Sequence, residues 1–153
     1  MVNSKLVTLQ RHILEEQLSR YPDADGDFTR LMLDLTLAVK IISREVNKAG
    51  LVEILGMTDD ENVHGERVTK LDIYAQDRIF KAMDHGGHLC CMASEEEPEL
   101  IKIPDKFTKG KYVLVFDPLD GSSNIDKNVS IGTIFGVYRR VTESGDGQLQ
   151  DVL

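Results

Sequence analysis

The chain has 153 residues, 41% of them hydrophobic and 29% charged, with a formal net charge of −8 at pH 7. This size and balance describe one globular unit with a real core, and the acidic surplus argues against nucleic-acid binding, which depends on clustered Lys and Arg. No run is apolar for long enough to span a membrane, and the N-terminus lacks a signal-peptide pattern. Residues 6–20 read as an amphipathic helix, with Leu6, Leu9, Ile13 and Leu18 near one face. The breaker-rich stretch YPDADGD at 21–27 is a loop. A longer helix is predicted over 28–48, with Asp27 as N-cap, Gly50 as stop, and Leu31, Leu35, Val39, Ile42 and Val46 as its buried stripe.

The span 51–69 is polar, carries Gly56 and Gly65, and shows no period, so it is expected as a functional lid or mobile connector. A third helix follows over 70–84, with Leu71, Ile73, Ile79, Phe80 and Met83 as apolar positions. Strands are expected near 88–94, 112–117 and 131–138. Residues 143–151 turn polar and Gly-rich, with no closing element expected before Leu153. Helices first and strands afterwards predict an α+β fold of layered helices and a sheet. The abrupt ending suggests a longer protein cut in a loop. The only cysteines, Cys90 and Cys91, are neighbours in an expected buried strand. Adjacent cysteines do not form an ordinary structural disulfide, so free thiols in a reducing cytoplasm are expected, with a vicinal redox pair as the alternative.

The chemistry concentrates in 111–124, KYVLVFDPLDGSSN. A β-rich run ends in Asp117, Asp120 follows three residues later, and Gly121, Ser122 and Ser123 form a turn. Paired carboxylates after a strand suit a hard cation such as Mg²⁺. Pro118 sets a rigid turn, Gly121 lets the backbone approach a ligand, and the N–H groups of 121–123 ahead of a helix start suit a phosphate. On spacing alone, a calcium loop or a solvated turn fits equally well. The acidic run Glu95-Glu96-Glu97 ends the strand at 88–94, and two strands stopping in carboxylates can join them at one sheet edge, where α/β folds bind ligands. A solvated loop is the alternative for that run.

Five stretches carry a resemblance: 36–50 (TLAVKIISREVNKAG), 62–72 (NVHGERVTKLD), 94–96 (SEE), 111–126 (KYVLVFDPLDGSSNID) and 130–139 (SIGTIFGVYR). Together they resemble the N-terminal part of class 1 fructose-1,6-bisphosphatases, within the wider superfamily that includes inositol monophosphatases. The resemblance implies a sheet of the sugar-phosphatase type, mixed in strand direction. Residues 1–153 would form an N-terminal domain with effector and metal sites, and the C-terminal α/β half would be absent. It implies Mg²⁺-dependent removal of the 1-phosphate from fructose 1,6-bisphosphate in gluconeogenesis. Two or three cations would bind per site, with Mn²⁺ or Zn²⁺ as alternatives. By motif, Glu95, Asp117, Asp120 and the Leu119 carbonyl would hold the metal, and Glu66 a third ion. Asp72 and Glu96 would orient and deprotonate the attacking water. Asp120, Gly121, Ser122 and Ser123 would hold the substrate.

The AMP-inhibited branch of that family implies an effector site at Gly26, Asp27, Thr29, Lys111, Tyr112 and Arg139. Two positions depart from its pattern. Asp25 stands where AMP-sensitive relatives carry a neutral hydroxyl residue, and Leu55 stands where animal relatives carry tyrosine. The resemblance further implies a cytoplasmic homotetramer that contacts neither nucleic acid nor membrane. A non-catalytic nucleotide-binding or assembly fragment and an inositol-phosphate phosphatase are the alternatives.

Overall fold

The structure, a computed structural model, describes residues 7–48, 57–61, 67–123 and 130–153. Helix α1 (Leu9–Arg20) starts at Thr8, whose hydroxyl accepts the Arg11 N–H at 3.2 Å. The expected apolar stripe reduces to one buried residue, Ile13; Leu9 is exposed and Leu18 is 83% exposed. The physical reason is position: α1 lies at the margin of the helix layer and packs chiefly on α2, so one side chain per few turns finds cover.

Helix α2 (Asp27–Val46) buries Leu31, Met32, Leu35, Ala38 and Ile42, with Val39 and Val46 half-buried against the same core. Its cap differs from expectation. Gly26 is the N-cap, in the left-handed region at φ 84°, and Asp27 is the first helical residue. The capping carboxylate belongs to Asp25, whose Oδ1 accepts the Asp27 N–H at 3.1 Å.

The connector expected at 51–69 contains two strands, β1 (Met57–Glu61) and β2 (Arg67–Thr69), paired antiparallel with Met57 opposite Thr69. Neither strand alternates apolar and polar residues; each is held by its partner, which periodicity cannot reveal. Gly50, residues 53–56, Gly65 and Glu66 lie outside the described residues. Helix α3 (Lys70–Met83) then buries Leu71, Ala75, Ile79 and Met83, while Ile73 is exposed.

The main sheet contains β3 (Leu89–Ser94), β4 (Ile101–Lys102), β5 (Tyr112–Asp120) and β6 (Gly132–Arg139), in the order β4-β3-β5-β6. β3 and β5 are parallel; the other pairs are antiparallel. The two-residue β4 gave no signal in the sequence, being shorter than any periodic pattern. Alternation along β5 sorts the core. Tyr112, Leu114 and Phe116 face α2 and α3, and Val113 joins Cys90 and Cys91 in a second cluster on the other face. No described helix is long and apolar enough to cross a membrane.

That second face is closed by residues 141–153, where an open ending was expected. A 3₁₀ turn (Leu149–Asp151) brings Asp151 inward until it is 4% exposed. Its carboxylate accepts hydrogen bonds from the N–H groups of Val141 and Thr142 (2.7 Å each), from Gln148 N–H (2.8 Å) and from Thr142 Oγ1 (2.8 Å). The Arg140 guanidinium donates to Thr142 Oγ1 at 2.7 Å and to the Gly110 carbonyl at 3.2 Å, tying the segment to the start of β5. The register of β3 shifts between Leu89 and Cys91, which inserts Cys90 as an extra residue and turns both thiols beneath Gly147. Both cysteines are free and fully buried; burial pushes the Cys90 thiol up and the Cys91 thiol up to about 12, so both stay protonated at neutral pH.

Two predictions follow from this closing segment. A methyl group at Gly147 would collide with Cys91 and crowd Cys90. Gly147→Ala should therefore destabilise the fold by about 1–3 kcal/mol, as overpacking does. Both cysteines should then react with a thiol reagent in the native state at a rate well above that of the parent chain. Unchanged labelling and melting temperature would show that the segment does not seal the thiols.

Asp151 gives the second. Burial pushes its carboxyl up, but the hydrogen bonds from Thr142, Gln148 and Val141 outweigh it and hold the group well below the usual carboxylate range. Its stabilising contribution is therefore complete above the unfolded value, about 3.9, and is lost as pH falls below that value toward the folded one. Asp151→Asn should lower the melting temperature at pH 7, and the gap to the parent should narrow as pH falls below about 4. Parallel melting curves across pH would contradict this.

Candidate active site at the carboxyl edge of the sheet

Parallel register brings the two acidic strand ends together. Ser94 pairs with Phe116, and the Glu95 N–H donates to the Phe116 carbonyl at 3.1 Å. Glu95 therefore leaves β3 where Asp117 stands in β5. Both line a cleft of about 520 Å³ on the sheet face turned away from α2 and α3, a volume in the range of small-molecule sites. The cleft floor is apolar, built from Val115, Ile134 and Tyr138. Such a floor offers little to a sugar phosphate, so the polar chemistry lies at its carboxylate end.

Asp117 and Asp120 do not follow the strand, as the sequence suggested; β5 continues through both. Asp117 pairs with Ile134 and Asp120 with Gly132, so one extra residue sits on β5 between them. Pro118 has no N–H for the ladder, which is why a bulge forms here. Thr133 Oγ1 donates to the Pro118 carbonyl at 2.9 Å, and Asp117 Oδ1 accepts the Leu119 N–H at 2.9 Å. Leu119 is buried in the helix-side core. The extra residue restores parity, so Asp117 and Asp120, three apart, share the face opposite Leu119. Asp120 is exposed and stands outside the cleft. Gly121 adopts φ 82°, in the left-handed region that favours glycine. Ser122 and Ser123 follow it, and the expected helix start beyond them lies outside the described residues.

Asp72, in the first turn of α3, is 1% exposed. One turn along lies Gln76, whose Oε1 accepts the Ser94 hydroxyl at 2.7 Å; Ser94 Oγ in turn accepts the Glu96 N–H at 3.3 Å. This chain of contacts ties the first turns of α3 to the Glu95-Glu96 corner. Ser94 and Gln76 were given no role from the sequence, and only the polarity of a buried strand end could have flagged Ser94.

The residues expected at an effector site gather around the other end of β5. Lys111 Nζ pairs with Asp25 and, at 3.0 Å, with Asp27. Phe28 and Tyr112 meet with ring centroids 6.1 Å apart, and the Arg139 guanidinium lies 5.4 Å from the Tyr112 ring. Thr29, buried, donates its hydroxyl to Gln17 Oε1 at 3.0 Å, and Gly26 begins the helix. The Lys111 ammonium beside Asp25 holds that carboxyl below the usual carboxylate range, and Asp25 with Asp27 raises the lysine.

Glu95, Asp117 and Asp120 offer only oxygen donors, which suits a hard divalent cation rather than a soft one. Among the described residues, no three carboxylate, imidazole or thiol groups are gathered closely enough to enclose a metal ion. The fit is thus one of donor chemistry and strand placement.

Known proteins similar to this chain belong to one family. The family described as "Fructose-1-6-bisphosphatase, N-terminal domain" matches residues 7–153. The class 1 fructose-1,6-bisphosphatase of Lawsonia intracellularis is 52% identical over 151 residues, covering 98% of this chain and 45% of the relative. That of Chloroherpeton thalassium is 51% identical over 150 residues, covering 97% of this chain and 42% of the relative. The chain thus spans less than half the length of these relatives. The Leishmania major fructose-1,6-bisphosphatase in holo form superposes with a TM-score of 0.83 at 34% identity, covering 97% of this chain and 44% of that one. The same enzyme in its T-state gives 0.73 at 33% identity, with 97% and 42% covered. Matched by the family model over residues 7–153 and by sequence and fold over nearly its whole length, the chain belongs to the fructose-1,6-bisphosphatase family, as its N-terminal domain.

Proposed function

We propose that this chain carries the cation and phosphate-binding part of a Mg²⁺-dependent enzyme that hydrolyses the 1-phosphate of fructose 1,6-bisphosphate in gluconeogenesis. The products are fructose 6-phosphate and phosphate. The observation that carries the reading is the register of β3 against β5, which puts Glu95 beside Phe116 and Asp117 of β5. Relatives at about half identity bear the name fructose-1,6-bisphosphatase, which favours a sugar bisphosphate over an inositol phosphate.

In this reading Glu95, Asp117, Asp120 and the Leu119 carbonyl hold two or three divalent cations, with Glu66, outside the described residues, serving the third. Mn²⁺ or Zn²⁺ are the alternatives to Mg²⁺. Bound there, the cations would offset phosphate charge and make water a better nucleophile at neutral pH. Asp72 and Glu96 orient water and take its proton, and the Ser94–Gln76 contact holds the Glu96 backbone in place. The N–H groups of Gly121, Ser122 and Ser123, with Asp120 beside them, bind the phosphate.

The proposal extends to regulation and setting. The residues around the start of α2 form the seat of an AMP-type effector, supported by the meeting of Lys111, Tyr112 and Arg139 there. Exposed apolar side chains on α2, Leu33, Leu37 and Ile41, support assembly into a homotetramer. Buried free thiols fit a reducing cytoplasm.

Phosphate release from fructose 1,6-bisphosphate should be measured with and without Mg²⁺. Two samples are needed: this chain, and this chain joined to the C-terminal half of the Lawsonia intracellularis relative. The joined protein should turn over only with the cation. Asp117→Asn or Glu95→Gln should cut its rate at least about a hundredfold, since even partners outside a metal's first shell are worth 10–100-fold. Full activity in either variant would remove these residues from the site. AMP binding without turnover in any sample would favour the non-catalytic fragment.

A further inference from the structure

The start of α2 already holds an anion of its own. Gly26 caps the helix with no side chain, and apart from its two chain neighbours nothing stands within 4 Å of the place its Cβ would occupy, so no other element crowds the cap. Yet the N–H of Asp27, the first of the helix, is taken by Asp25 Oδ1 at 3.1 Å, and Asp25 Oδ2 pairs with the Lys111 ammonium. These are the two contacts a phosphate would make at a helix N-terminus beside a lysine. The lysine comes from 86 positions along the chain, so the pairing is tertiary rather than a local accident of the loop.

A second, independent feature is a buried polar atom without a hydrogen bond beside the first residue of the helix. The His88 side chain is nine-tenths buried, and its Nδ1 faces Asp27 Oδ1 across 3.7 Å, too far for a hydrogen bond. That ring nitrogen has no hydrogen-bond partner. Arg139 adds a cation on the rim, exposed, stacked on Tyr112 and in no ion pair with a described carboxylate.

We propose that Asp25 is a built-in anion that closes this seat, so that a phosphate monoester enters only where the Asp25 carboxylate is displaced or neutralised. The inference rests on the reading of the α2 start as an effector seat and adds the means by which this chain restrains it. The charge balance gives the reason. Lys111 sits between Asp25 and Asp27, and Arg30 reaches Asp27 from the next turn at 3.9 Å, so two carboxylates offset two cations and leave no surplus positive charge for a dianion. Removing the Asp25 charge leaves one cation of that group uncompensated, beside the Arg139 guanidinium on the rim.

Asp25→Asn tests this cleanly, because the amide oxygen still accepts the Asp27 N–H and the helix keeps its cap. Asp25→Ser serves as a second variant with the same capping ability. Binding of inorganic phosphate, then of AMP, should be titrated by calorimetry on the parent chain, each variant, and Asp25→Asn combined with Lys111→Met, alongside melting curves. The expected result is at least a tenfold tighter Kd in both single variants at unchanged melting temperature, with the gain lost in the Lys111→Met combination. Equal affinity in parent and variants would overturn the closure while leaving the effector seat standing. Folded variants that bind neither ligand would overturn the seat as well. A gain that survives Lys111→Met would place the binding elsewhere and overturn the inference.

Discussion

The parallel pairing of β3 with β5 is the constraint on which the rest of this domain depends. Parallel strands need a crossover of a dozen or more residues. Here residues 95–111 make it with β4 and loop alone. The crossover closes at Gly110, whose N–H donates to the Leu89 carbonyl at 2.8 Å. A Cβ there would collide with the backbone of His88 and Gly87. Only glycine lets the returning chain lie flat against the start of β3, so this residue allows Tyr112 to enter the sheet in register. From that register follow the burial of Leu114 and Phe116 under α2 and α3 and the meeting of Glu95 with Asp117. A slip of one residue would turn every side chain of β5 to the wrong face.

Two bulges then adapt a regular sheet to its tasks. The first, at Cys90, turns adjacent thiols to one face and makes a small second core that residues 141–153 cover. The second, at Pro118 and Leu119, turns carboxylates three apart to one face while Leu119 stays anchored among the helices. In both cases one inserted residue changes which face a pair of side chains shares, and the strand continues on either side. The bulge with Pro118 is held by Thr133 from the neighbouring strand and by Asp117 from its own, so the acidic residue also fixes the backbone that positions it.

Much of this was legible in the sequence. The stripes of α2 and α3 and the β-rich runs of β3, β5 and β6 identified the elements, because each is long enough to repeat a period. The acidic strand ends were legible as well, since a run of apolar residues that stops in a carboxylate is a local signal. What escaped was non-local. β1, β2 and β4 exist because another strand accepts their hydrogen bonds, and their own residues show no alternation. Leu9 and Leu18 fit a helical stripe, yet α1 has too little beside it to bury them. Asp151 looked like one more acid in a polar tail, and its four donors come from residues up to ten positions away. Gln76 reaches Ser94 across 18 positions, a separation at which spacing carries no information.

β5 also sets how the two candidate sites can influence each other. Lys111 stands just before its first residue and Asp117 six positions later, so at about 3.3 Å per residue the two are roughly 20 Å apart. Between them the strand is hydrogen-bonded to β3 on one side and β6 on the other. A strand paired on both sides cannot change register without breaking both ladders, and a one-residue step would expose Leu114 and Phe116. Coupling along β5 itself is therefore excluded as a sliding motion. The α2–α3 layer is the other physical route. α2 begins at the proposed anion seat, packs along α3, and α3 carries Asp72 and Gln76 to the Ser94 corner. This layer joins the start of α2 to the carboxylate corner by direct contacts, through α3 and the Ser94–Gln76 hydrogen bond.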